Sequence, residues 1–348
     1  MLFFYALLLG LAWGAIEYSP SGAWEKASDP ERICKEQYLC AEGGLTWHSS
    51  NNPILFNVDN ACDALVDAGI RNIDFHGDSY MRQIYAAVLI TLNGNYRNGS
   101  IADTDFARSN GAEQCVYHTQ FAEKHCGVRS LNHGPHVCDG RITLDPMLNG
   151  VDSLTQCGKQ GNGSIVLFSW GNYKVGPHGG RHGVNDPAAY SQFFEDSGLC
   201  PAVRERDQML AKKRGKKEAS AAGAGLDEEK ASGRRRGRSL KGKPKSERPP
   251  CGMYWISTHY RLVAHFPDEA EHQVKSYNEG MRNFFTSGKC GDINYIDVYN
   301  MTAGLGEHHK EIAPHLSYDK VHWGMEVNLQ KAQIIINALV SEVSVLHR

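Results

Sequence analysis

Residues 70–83 read IRNIDFHGDSYMRQ. Ile73 and Phe75 fall on one face of a short extended run, and Gly77 ends that run in a turn. Tyr80–Leu92 then places Met81, Ile84, Tyr85, Val88 and Leu92 at three-to-four spacing, the mark of an amphipathic helix. A strand that turns through a glycine into a helix is the first half of a βαβ unit. Ser79 stands at that turn. There its hydroxyl is presented at the carboxyl edge of the sheet, beside the free N–H groups and positive end of the helix.

The same grammar recurs along the chain. Ala61–Ala68 reads as a short helix stopped by Gly69. Ser164–Trp170, SIVLFSW, is an almost continuous apolar run, as expected of a strand buried on both faces. Pro187–Ser197 reads as helical, Met253–Thr258 as a strand, Asp268–Phe285 as an amphipathic helix and Ile293–Tyr299 as an alternating strand. The last helix spans residues 325–346, with Met325, Leu329, Ala332, Ile336, Leu339, Val343 and Leu346 on one side. Strands alternating with helices predict an α/β domain with a mostly parallel sheet covered on both faces. Residues 17–60 show little periodicity and read as a loop-rich, disulfide-tied lead-in, and 93–163 carry only weak strand signals.

The chain has 348 residues, 41% hydrophobic and 22% charged, which excludes a wholly disordered chain, a collagen and a coiled coil. Its formal charge of −2 is a sum of opposed parts. Residues 204–248 hold 16 Lys+Arg against 7 Asp+Glu, a net of +9, and the rest of the chain carries −11. Residues 203–250, with KKRGKK, RRRGRS and KGKPK, hold almost no large apolar side chains and read as a disordered basic insert. Arg235-Arg236-Gly237-Arg238 within it suits a basic-specific processing protease. The insert lacks interleaved aromatics, so a solvated linker is expected and nucleic acid is not. Residues 17–202 and 251–348 are then one domain.

Residues 2–16 are apolar and uncharged but shorter than a comfortable membrane span. They read as a cleaved signal peptide, with a short signal anchor as the alternative; only the anchor would bring a membrane contact. Ten cysteines and three N-x-S/T sequons, at Asn98, Asn162 and Asn300, point the same way: a secreted protein, or a Golgi-lumen one if anchored. His118, His125, Cys126, His133, His136 and Cys138 hold zinc-type ligands, but at no finger spacing; disulfide cysteines among loop histidines are the preferred reading, with no metal.

Three short motifs carry chemistry. Ser79 at the strand–helix turn is a candidate nucleophile, with a helix-capping role as the structural alternative. Asp319-Lys320-Val321-His322-Trp323-Gly324, just before the last helix, offers His322 as a general base oriented by Asp319. Trp170-Gly171-Asn172-Tyr173, at the end of a buried strand, offers a side-chain amide to an oxyanion. Arg82, about one turn after Ser79, reaches the same rim, where it would bind an acidic sugar or hold Asp78.

GDS, then Gly-Asn after a middle strand, then DxxH before the C-terminal helix, resembles the SGNH/GDSL hydrolase superfamily. The longer GDSYMRQ together with DKVHW resembles its PC-esterase branch, which includes trichome-birefringence-like glycan O-acetyltransferases and the sialic-acid O-acetyltransferase domain. The resemblance covers residues 71–340. It implies a three-layer α/β/α fold with a flavodoxin-like sheet, and acyl chemistry without metal or organic cofactor. Ser79 would be the nucleophile, His322 the base and Asp319 its orienting group. Asn172 and the Ser79 N–H would form the oxyanion hole. The family's second motif adds a glycine there; Gly94 and Gly99 both qualify, with Gly94 favoured because Gly99 lies inside a sequon. Tyr173 stands where many of these hydrolases have Asp. Arg82, Trp170, Tyr173 and Trp323 would line a glycan site. The expected activity is a serine-dependent carbohydrate O-acetyl esterase or O-acetyltransferase, its partner a glycan or acetylated polysaccharide and its acyl donor open. The alternative is a catalytically inactive glycan-binding protein on the same fold.

Overall fold

The computed structural model describes residues 16–49, 54–102, 114–122, 126, 131–132, 135–146, 163–169, 187–224, 251–262, 271–317 and 319–346. Nine strands are assigned among them: β1 (Glu17–Tyr18), β2 (Gly22–Lys26), β3 (Leu45–Ser49), β4 (Asn72–Gly77), β5 (His136–Val137), β6 (Ile142–Asp145), β7 (Ser164–Ser169), β8 (Gly252–Ile256) and β9 (Asn294–Ile296). The α-helices are α1 (Val58–Asp67), α2 (Ser79–Asn93), α3 (Pro187–Asp196), α4 (Leu199–Ala224), α5 (Glu271–Thr286), α6 (Tyr299–His308) and α7 (Met325–Leu346).

Seven strands form one sheet in the order β1-β9-β8-β7-β4-β6-β5. Every pairing in it is parallel except β5 on β6. The five central strands, counted along the chain, lie in the order 2-1-3-4-5, the flavodoxin-like arrangement. Alternate residues of β7 and β8 feed opposite cores. Ile165 and Leu167 of β7 and Tyr254 and Ile256 of β8 join the cluster holding α1, α2, α6 and α7. Val166, Phe168, Met253 and Trp255 join the cluster holding α3, α4 and α5. This two-sided burial is why SIVLFSW carries no polar alternation. The fold is therefore an α/β sandwich of three layers.

The lead-in is more regular than its sequence suggests. β2 and β3 pair as an antiparallel hairpin in which Trp24 faces Trp47, ring centroids 6.1 Å apart, and Trp24 Nε1 donates to the Met301 carbonyl of α6. Ile16 and β1 join the main sheet: Tyr295 N–H donates to the Ile16 carbonyl and Asp297 N–H to that of Tyr18. Ile16, inside the stretch read as leader, is thus part of the folded sheet; residues 1–15 lie outside the described residues.

Part of the segment read as a disordered basic insert, residues 203–224, is helical. Helix α4 carries the chain to Ala224. Leu199, Cys200 and Val203 are buried, and Arg206 donates to the carbonyls of Cys251 and Asp292. Arg204 grips both carboxylate oxygens of Glu195 at 2.8 Å. The tertiary anchors at its start, with helix-favouring Ala, Lys, Arg and Glu beyond, outweigh the ordering entropy that composition alone left uncompensated. Residues 225–250 lie outside the described residues.

Four disulfides join Cys34–Cys40, Cys62–Cys138, Cys115–Cys126 and Cys200–Cys290, and Cys251 is disulfide-bonded as well. Such a set belongs to an oxidising compartment. Cys200–Cys290 bridges the two sides of the basic segment, so a chain cut at 235–238 would stay joined through it. Among the described residues no helix is long and apolar enough to cross a membrane.

Candidate active site

The reversal of strand order falls between β4 and β7, where parallel α/β sheets open a crevice at the strands' carboxyl ends. β4 ends at Gly77, paired with Ser169, the last residue of β7. Gly77 has φ +149°, and a Cβ there would lie 2.0 Å from the Ser169 carbonyl oxygen and 2.6 Å from Met81 Cγ. Only glycine lets the chain turn this close to the neighbouring strand.

Asp78 then caps α2, its Oδ1 accepting the Tyr80 N–H at 2.9 Å. The cap is Asp78, so the Ser79 hydroxyl is released from that duty. Its Oγ lies 2.8 Å from His322 Nε2, although 243 residues separate them. Ser79 is part-exposed, while His322 is 6% exposed. The Ser79 N–H is the first of α2, outside the intrahelical ladder and at the positive end of the helix.

His322 Nδ1 lies 2.6 Å from Asp319 Oδ2. Asp319 Oδ1 accepts the backbone N–H groups of Val321 at 2.9 Å and His322 at 2.6 Å. Burial pushes the Asp319 carboxyl up, but the hydrogen bonds and charge of His322, helped by the Val321 N–H, outweigh it and hold the group below its ordinary value. Asp319 can only accept, so Nδ1 carries its proton and Nε2 is left to accept from Ser79. The turn between them closes through Lys320, a left-handed residue at φ +64°.

The structure relocates several other expected site residues. Gly94 is the left-handed C-cap of α2, packed on Val58, at the opposite end of the helix from Ser79 and about 22 Å along it. It takes no part in an oxyanion hole there. Gly99 lies in the turn just after that same end, its N–H donating to the Asn95 carbonyl.

Arg82 is fully buried. Its Nη2 donates to the Phe121 carbonyl at 2.8 Å and its Nη1 reaches the Cys126 carbonyl at 3.4 Å, so it ties the 114–126 segment to α2 and presents nothing to a rim. Trp323 is 1% exposed, and its Nε1 donates to the Tyr260 carbonyl, making it a core side chain. Trp170, Asn172 and Tyr173 lie outside the described residues, as does Asn162. The Asn98 side chain is exposed in the turn after α2, and Asn300 stands in the first turn of α6, its Nδ2 donating to Asp297 at 2.6 Å. In the His-rich segment, Cys126 and Cys138 are both taken by disulfides and offer no thiolate to a metal.

Sequence reasoning passed over Tyr80, His259 and Arg261. The Tyr80 ring lies against His259 at 3.9 Å, tilted by 43°, and meets His322 edge-on at 5.4 Å, with the Arg261 guanidinium 5.5 Å from its centroid. His259-Tyr260-Arg261 follows β8 at the same carboxyl edge as Ser79, and that position was the available signal. Comparison of the chain with protein-family models, with curated proteins and with solved structures returns no match.

Proposed function

We propose that this chain is a serine-dependent acyl hydrolase or acyltransferase, of the type its SGNH and PC-esterase resemblance implies, acting on carbohydrate O-acetyl groups in the secretory pathway. The observation that carries this reading is the hydrogen-bonded chain Ser79 Oγ···His322 Nε2, His322 Nδ1···Asp319 Oδ2, standing at a helix N-terminus on the switch point of the sheet.

The chemistry follows from that order. Ser79 Oγ attacks the ester carbonyl carbon while its proton passes to His322 Nε2. Asp319 stabilises the resulting imidazolium. The Ser79 N–H and the helix dipole offset the negative charge on the carbonyl oxygen. His322 returns the proton to the departing alkoxide, leaving an acyl-Ser79 ester. Water or a sugar hydroxyl then attacks that ester, giving up its proton to His322, and Ser79 leaves as the alcohol once His322 reprotonates it. Water makes the enzyme an esterase and a sugar hydroxyl makes it a transferase. N-glycans at Asn98, Asn162 and Asn300 belong to the same secretory reading.

The test is labelling of the purified chain by a fluorophosphonate, together with acetyl release from an O-acetylated glycan. Wild type is expected to label, and Ser79→Ala to fold without labelling or activity. A folded wild type that neither labels nor releases acetate would sink the proposal.

A further inference from the structure

Helix α7 buries an amine. Lys331 is 0% exposed, and its Nζ lies 2.8 Å from both His259 Nδ1 and Asn328 Oδ1. An unpaired cation in such a place is costly, and a methionine would fill the volume without that cost. Burial holds Lys331 well below the ordinary lysine value, and burial, with the Lys331 charge next, does the same to His259. The hydrogen-bond directions are set by the geometry. His259 Nε2 lies 2.8 Å from the Val321 carbonyl, which only accepts, so that nitrogen carries the proton. Nδ1 must accept, and Lys331 donates to it.

The far ends of this chain converge on His322. Val321 O is held by His259 Nε2, and Trp323 O by Asn328 Nδ2 at 2.6 Å. The carbonyl of His322 itself accepts from Ser317 Oγ at 2.7 Å. Three consecutive carbonyls centred on His322 are thus each pinned by a buried side chain. The His259 ring also packs at 3.9 Å on Tyr80, the neighbour of Ser79. One buried imidazole therefore touches the residue next to each member of the Ser79–His322 pair.

We propose that Lys331, His259 and Asn328 are positioning residues: they fix His259 as its Nε2–H tautomer and clamp the backbone on both sides of His322 against Ser79. The proposal rests on the reading of Ser79 as nucleophile and His322 as base. Lys331→Met keeps the length of the side chain and removes its donors. Fluorophosphonate labelling of Ser79 is expected to slow by about ten- to a hundred-fold, the scale of a small misplacement of reacting groups. The low-field imidazole proton of His322 Nδ1–H, assigned by its loss in Asp319→Asn, is expected to broaden or vanish while thermal melting stays cooperative. His259→Gln, which keeps an N–H aimed at Val321 O, is expected to label nearly as wild type; His259→Leu is not. Labelling within about twofold of wild type in Lys331→Met, with the proton signal intact, would overturn the proposal. So would a loss in His259→Gln equal to that in His259→Leu, a pair that decides the matter even if Lys331→Met does not fold. Should folded wild type fail to label, the nucleophile reading falls by itself, and the proton signal still reports whether Lys331 holds His322.

Discussion

Replacing Asp319 with Asn tests the base end of the site through geometry. The two backbone donors, Val321 N–H and His322 N–H, both point at Oδ1 and require an oxygen there. The introduced carboxamide would therefore keep its carbonyl on the backbone and turn its NH2 toward His322 Nδ1, where Oδ2 now sits at 2.6 Å. Nδ1 would become the bare, accepting nitrogen. The neutral ring would then carry its proton on Nε2, 2.8 Å from Ser79 Oγ. A protonated Nε2 can donate to the serine but cannot take its proton. The turn is preserved and the base is lost. In a serine-protease triad the same exchange costs about 10⁴ in rate, roughly 5 kcal/mol of barrier. The Asp319 side chain is 35% exposed, so water already screens part of its charge. The tautomer penalty does not depend on that screening, and a loss of about 10³ to 10⁴ is expected on the triad scale. The assay is the second-order rate of fluorophosphonate labelling near neutral pH, with thermal melting as the folding control. Labelling within about tenfold of wild type, at unchanged melting, would refute the assignment of His322 as the base.

Gly77→Ala should lower stability by about 1–3 kcal/mol for the backbone conformation alone, with the contact at the Ser169 oxygen adding to it; a melting temperature equal to wild type would contradict the close approach described. Arg82→Met should strand the Phe121 and Cys126 carbonyls, at about 1–3 kcal/mol for each group left unsatisfied, and weaken labelling by neutral and anionic probes alike; a loss confined to acidic-sugar esters would return Arg82 to the substrate rim. Because the folded state holds Asp319 below its ordinary value, its contribution to stability is full above the unfolded carboxylate pKa and is lost as pH falls through the folded one. Acid titration of melting temperature should therefore fall less steeply in Asp319→Asn than in wild type, and parallel curves would argue against that contribution.

Much of this molecule could be read along the chain. The strand of residues 72–77, its glycine turn and helix α2 announce themselves through local periodicity and turn chemistry, and so do β7 and α7. Ser79, Asp319 and His322 were legible for a related reason: each stands at a boundary between regular elements, where parallel sheets collect their sites. The β2–β3 hairpin was not legible, because its pairing partners are distant in sequence and the residues between them show no common period. Helix α4 was hidden because its order comes from contacts with Glu195, Cys251, Cys290 and Asp292, which no composition count contains.

The same division runs through the site. Sequence alone determined which groups could do chemistry, since a hydroxyl, an imidazole and a carboxylate have those properties wherever they stand. Only the tertiary structure decided which of them meet. It moved Gly94 to the far end of α2, sank Arg82 and Trp323 into the core, and set Lys331 and His259 behind His322. The physical reason is that burial and hydrogen-bond partnership are properties of packed surfaces. A residue's place along an element predicts its face, whereas what lies across that face depends on segments tens or hundreds of residues away.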